Sequence, residues 1–132
     1  MTTFIAATNS VHASAAICDY LQDRLADDDV VHAVNSLPGG DAATDDDVRD
    51  GEEALNVMSV RLGGLASVET HQFVRENDAA EDVLASAADL EADEIVLAVR
   101  ERSATDKLLF GNVAQRVLID APVPVVAVPR SA

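Results

Sequence analysis

Four of the chain's nine basic residues, Arg100, Arg102, Lys107 and Arg116, fall in one stretch, VRERSATDKLLFGNVAQRVL, residues 99–118. Guanidinium and ammonium groups are the side chains that meet phosphate, Arg as a planar fork and Lys as a point charge. Ser103 and Thr105 add hydroxyls to the same stretch. Gly111, Asn112 and Val113 then open an apolar-periodic run. The free N–H groups and dipole of a helix start favour an anion, and a glycine there lets a ligand approach bare backbone. The chemistry suggested is capture of a phosphate group. The competing reading is surface pairing of these cations with acids, of which the chain has many.

The acids are unevenly placed. The formal net charge is −15, from 24 acidic residues against nine basic ones. Residues 1–99 carry a net −17 and residues 100–132 a net +2, so the positive charge sits at one end of the sequence. The composition has 16 Asp and 8 Glu against 8 Arg and a single Lys, and it resembles that of proteins from salt-loving organisms. Concentrated salt screens the self-repulsion of such a surface. An acidic chain of this kind argues against nucleic acid as a general partner.

Other chemistries find little support. His12, His32 and His71 lie in separate elements, without metal-ligand spacing to another His or Cys. His32, inside an apolar run, reads as a core residue. There is no Walker A sequence, no G-x-G-x-x-G and no G-x-S-x-G elbow. The Asp runs at 27–29 and 45–47 read as a helix end and a solvated loop rather than a cation site. Cys18, the one cysteine, sits among Ala15, Ala16 and Ile17 and reads as a small buried hydrophobe. No stretch is apolar enough to span a membrane, and MTTFIAATNS lacks a basic leader, so a cytoplasmic location is expected.

The elements that must position the basic stretch alternate in type. TFIAAT (3–8), VVHAV (30–34), VETHQFV (68–74), EIVLAV (94–99) and VPVVAV (123–128) read as strands. Between them, helical spacing places Cys18, Leu21 and Leu25 on one buried face, and Leu55, Met58, Leu62 and Leu65 on a second. A third face holds Ala80, Val83, Leu84, Ala87 and Leu90; a fourth holds Val113, Val117 and Leu118. Residues 35–47 read as a long loop. The order predicts an α/β single domain over residues 1–132, an open parallel five-stranded sheet with helices on both faces. The strand at 68–74 and, because of Pro124, the one at 123–128 are expected at edges.

Ligands of open α/β sheets bind outside the C-terminal strand ends, near the point where strand order reverses. Two ends stand out. One is Thr8 and Asn9 after the first strand. The other is Ala98, Val99 and Arg100, leading through Arg102, Ser103 and Lys107 to Gly111.

The stretch RSATDKLLFGNVAQRVLIDAPVPVVAVPR resembles the C-terminal region of the universal stress protein family, with a leucine pair, a glycine, a helix of the AQRVL kind and an APVPVVVV-like strand. TFIAATNS, VVHAV and VRENDAAEDVLASAADLEADEIVLAV extend the resemblance over nearly the whole chain. It implies a Rossmann-like sheet of the adenine nucleotide alpha hydrolase-like kind and a homodimer paired through the last strand, Val123 to Val128. It also implies a non-catalytic stress-response role. Nucleotide-binding members carry Gly, two residues, Gly, nine residues, then Gly-Ser or Gly-Thr. On this chain those positions are Ala98, Glu101, Gly111 and Asn112. The family's adenine-side Asp falls at Thr8, and Ala33 marks the approach of the second strand to the base. ATP or AMP is therefore the ligand implied, while Ala98, Glu101 and Thr8 depart from the pattern that holds it. A ligand-free interaction protein that does not bind ATP is the alternative.

Overall fold

The computed structural model describes residues 1–38, 43–75, 78–102, 107–109 and 111–130; the side chains of Pro38, Arg75, Glu101, Arg102, Lys107, Leu108 and Leu109 lie outside that description. Among these residues, six strands and four helices follow in order: β1 (Thr3–Ala7), α1 (Val11–Leu21), β2 (Val30–Pro38), α2 (Asp45–Leu62), β3 (Ser67–Arg75), α3 (Ala79–Asp89), β4 (Glu94–Arg102), β5 (Lys107–Leu109), α4 (Asn112–Asp120) and β6 (Val125–Arg130).

Five strands are parallel, in the order β3-β2-β1-β4-β6. The order reverses between β1 and β4, whose C-terminal ends lie side by side. Beyond the end of β1, the chain adds β5, antiparallel to β4 through the pairs Arg100–Leu109, Glu101–Leu108 and Arg102–Lys107. No strand is expected from the sequence between residues 99 and 123, so β5 is an addition. Both expected edges hold: among the described residues, β3 pairs only with β2, and β6 only with β4.

Alternation along the central strands splits the core into two layers. Phe4 and Ala6 of β1 and Val96 of β4 pack with Ile17, Leu21, Leu55, Met58 and Leu62 of α1 and α2. Ile5, Ile95, Leu97 and Val99 pack on the other face with Val83, Ala87, Ala114 and Val117 of α3 and α4. Helices thus cover both faces, as the sequence order demands.

The helix starts follow the chain's own chemistry. Ser10, Thr44 and Asp78 each accept a bond from a backbone N–H of the first turn, in α1, α2 and α3 respectively, and Thr44 forms a capping box with Asp47. α3 ends in a Schellman turn: Ala92 N donates to Ala87 O at 2.9 Å and Glu91 N to Ala88 O at 3.3 Å. Glu91 takes φ 52° there, a left-handed conformation usually given to glycine.

Several boundaries differ from the sequence expectations. β2 runs on through Asn35 to Pro38 and α2 begins at Asp45, so most of the expected loop at 35–47 belongs to elements. α1 stops at Leu21, before the Asp run at 27–29. Leu65 lies beyond α2 and is 40% exposed. Val113 and Leu118 of α4 are likewise about two-fifths exposed, and Ala114 takes the inward position beside Val117. A small residue carries little hydropathy signal, which is why the phase of this helix is hard to read from sequence.

Candidate functional site

A cavity of about 530 Å³ opens at the C-terminal ends of β1 and β4, where the strand order reverses. It brings together eight of the residues singled out in the sequence: Thr8, Asn9, Ala98, Val99, Arg100, Gly111, Asn112 and Val113. The strand ends and the start of α4 meet here, although some 90 residues separate Asn9 from Val99 in sequence. Its wall is mostly aliphatic, with Val34, Val83, Leu97 and Val117 on the α3–α4 side.

The remaining candidates fare differently. Ala33 is fully buried in the α1–α2 core and does not line the cavity; the next residue, Val34, does. A one-residue step along a strand turns the side chain to the other face. Arg102 and Lys107 are register partners in the β4–β5 hairpin, and their side chains lie outside the described residues. Ser103 and Thr105 also lie outside them. Arg116, part of the basic stretch, is not at the cavity: Nη1 meets Asp78 at 2.8 Å and Glu81 at 3.7 Å, and Nε meets Asp120 at 3.5 Å. For this residue the surface-pairing reading is right, and Asp78 foremost raises its affinity for its proton.

Sequence reasoning missed Arg130. The last described residue of β6, it lines the cavity and stands opposite Arg100 in the β4–β6 register. The signal that could have found it is the strand pairing itself, since aligning EIVLAVR with VVAVPR places the two arginines together. Ser36 is a second addition. It lines the cavity and donates to Asp82 Oδ2 at 2.5 Å, and Asp82 is 1% exposed.

Thr8, where the family pattern has Asp, is 5% exposed and engaged. Its Oγ1 lies 3.1 Å from Ser10 O and 2.6 Å from Ser14 Oγ, and Ser14 Oγ donates to Ala54 O at 2.7 Å. The backbone around Thr8 is held as well. Thr8 N donates to Val34 O at 2.9 Å, and Asn35 Nδ2 donates to Thr8 O at 3.0 Å. Asn35 Oδ1 in turn accepts from Gln72 Nε2 at 3.1 Å. A buried polar layer therefore fixes the end of β1 against α1, α2 and β3.

The start of α4 is different in kind. Gly111 is its N-cap, with φ −71° and no side-chain bond to the first turn. A Cβ built at Gly111 would meet nothing within 4 Å. Neither backbone strain nor packing among the described residues requires glycine here, so its effect is to leave bare backbone facing the cavity. The charge on the described cavity wall is positive: Arg100 and Arg130 line it, and no carboxylate or imidazole does.

Away from the cavity, His32 and His71 come together although the sequence places them in separate elements. Nδ1 of His32 lies 3.0 Å from Nε2 of His71, and Glu69 stands 3.8 Å from the same Nδ1. No group of three or more His, Cys, Asp or Glu suited to a metal ion occurs among the described residues. No described helix is long and apolar enough to cross a membrane.

Comparison with known proteins agrees with this architecture. The model of the universal stress protein family matches residues 2–129. A universal stress protein of Mycolicibacterium smegmatis is 43% identical over 51 residues, a match covering 39% of each chain. A universal stress protein of Archaeoglobus fulgidus superposes with a TM-score of 0.78 at 28% identity, covering 97% of this chain and 98% of that one. The structure of the Archaeoglobus fulgidus protein in complex with dAMP superposes with a TM-score of 0.73 at 24% identity, over 97% and 98% of the two chains. With the family model spanning nearly every residue and the fold repeated in these neighbours, the chain belongs to the universal stress protein family.

Proposed function

We propose that this protein is a cytoplasmic, homodimeric stress-response factor that binds a phosphate-bearing ligand, an adenine nucleotide such as ATP or AMP being the leading class, in the cavity between β1 and β4. The observation that carries the reading is the convergence of Thr8, Asn9, Ala98, Val99, Arg100, Gly111, Asn112 and Val113 on one cavity at the strand-order reversal. Its aliphatic wall suits a base and sugar, and its positive rim suits phosphate. Arg102 and Lys107, partners in the β4–β5 register, and Ser103, which lies outside the described residues, belong to the same proposed site. The dAMP complex of a neighbour with the same fold supports the ligand class. A binding role rather than catalysis fits a described wall without an Asp, Glu or His to act as base. Pairing of two protomers through β6 fits its position at an edge, bonded among the described residues to β4 alone.

The ligand-free reading has its own support. The Thr8 hydroxyl is already engaged by Ser10 and Ser14, and Ala98 and Glu101 stand where nucleotide-binding members have glycine. Native mass spectrometry of the freshly purified protein, and again after addition of AMP or ATP, separates the two. A dimer mass carrying one nucleotide per protomer is the expected result. A bare mass, under conditions where a known binder keeps its nucleotide, would establish the interaction protein instead.

A further inference from the structure

Six arginine side chains are described, and four of them are engaged. Arg24 donates to Tyr20 O, Arg49 pairs with Asp46, Arg61 with Asp19, and Arg116 with three acids. Arg100 and Arg130 alone have no ion pair or hydrogen bond among the described residues, in a chain with 24 acids. They are also the two that line the cavity, and they are register partners on adjacent parallel strands. Neighbouring strands lie about 4.8 Å apart, so partners on one face project side by side. Like charges directly opposite one another cost stability in a sheet. Two adjacent cations with no acid partner among the described residues, at the mouth of a cavity, form an arrangement that an anion would complete.

We propose that Arg100 and Arg130 act as a two-cation clamp on a multiply charged phosphate group, so that affinity rises with the number of phosphates on the ligand. This rests on the cavity being a phosphate-compound site. Each guanidinium is a planar fork that can engage two oxygens. A diphosphate offers each fork its own oxygens, whereas a phosphodiester offers a single charge to both. The clamp places phosphate recognition on side chains of β4 and β6, where the family pattern uses bare glycine backbone at the positions of Ala98 and Glu101.

Isothermal titration of the full chain with adenosine, AMP, ADP and inorganic pyrophosphate tests the clamp, using wild type, Arg100→Gln and Arg130→Gln. Melting temperatures of the unliganded proteins verify folding. Affinity is expected to rise from adenosine to AMP to ADP. Each variant should weaken ADP about tenfold or more and leave adenosine within about twofold. Unliganded Arg130→Gln should melt no lower than wild type, because removing one cation relieves the cross-strand repulsion. Equal affinity for adenosine and ADP, or variants that bind ADP and pyrophosphate as wild type does, would overturn the clamp and leave the nucleotide reading intact. Pyrophosphate binding that is lost in the variants, with no adenosine compound binding, would uphold the clamp and overturn the nucleotide reading. Failure of both ADP and pyrophosphate to bind wild type would overturn both.

Discussion

The hydroxyl of Thr8 lies 2.6 Å from that of Ser14, joining the end of β1 to the first turns of α1 directly beneath the cavity. Because Ser14 donates onward to Ala54 O, the Thr8 proton is directed to Ser14 or to Ser10 O. Thr8→Val keeps the volume and removes the hydroxyl. It should lower stability by about 1–2 kcal/mol in urea denaturation and change phosphate-ligand affinity by less than about threefold. A large loss of affinity with unchanged stability would show instead that Thr8 contacts the ligand.

Gly51 shows how tightly α2 presses on the same polar layer. A Cβ at this position would run into Asn35 Oδ1 and stand 2.6 Å from Gln72 Nε2. Both atoms are fixed, since they bond each other and Gln72 Nε2 also donates to Val48 O at 3.0 Å. In an exposed helix interior, Gly→Ala gains about 1 kcal/mol. Here the overlap should outweigh that gain, and Gly51→Ala should lose about 1–2 kcal/mol net. A stabilised variant would mean that α2 can move outward without cost.

His32 gives the fold a pH dependence whose sign can be worked out. Burial chiefly, with help from His71 and against the pull of Glu69, lowers the pKa of His32 from its ordinary value. The unfolded chain then binds the proton more readily than the folded one. The His32 contribution to stability is full above about pH 6.5 and is lost as pH falls from there toward the folded pKa. Ordinary Asp and Glu titrate lower, near pH 4. The melting temperature of wild type relative to His32→Gln should therefore fall between about pH 7 and pH 5.5. A constant difference across that window would refute this.

Glu91 holds the left-handed position of the Schellman turn after α3. A side chain there costs about 1–2 kcal/mol against glycine, offset in part by the greater freedom glycine has when unfolded. Glu91→Gly should stabilise the protein by about 0.5–1 kcal/mol, measured by chemical denaturation. A loss of stability would mean that the Glu91 side chain makes a contribution larger than the backbone strain.

The sequence made the parallel sheet legible because alternation and apolar runs in β1, β2 and β4 report burial directly, and helices between them force the parallel order. Both edge strands were readable for the same kind of reason: partial alternation in β3, and Pro124 ahead of β6. Thr8, Asn9 and the end of β4 were legible as cavity wall, since strand ends at an order reversal are where such sheets open. What stayed hidden depended on contacts far apart in the chain. β5 is three residues long and exists only through pairing with β4. Arg130 is 30 positions from Arg100, and only the β4–β6 register makes them neighbours. His32 and His71 meet through the β2–β3 register in the same way, with His32 opposite Glu69 and Val34 opposite His71. Arg116 misled because charge clustering in sequence does not specify which side of α4 a cation takes.

The contrast between a −15 chain and a cavity rim of two arginines without a partner among the described residues also separates how fast an anion arrives from how long it stays. At low ionic strength, where the Debye length reaches about 30 Å, an approaching anion meets the field of the whole acidic surface and is slowed by it; added salt shortens that reach and removes the barrier. Once inside, it meets Arg100 and Arg130 at contact range, where screening is weaker. Capture of an anion by this cavity would accordingly quicken as ionic strength rises, the reverse of a protein that steers anions with a basic surface.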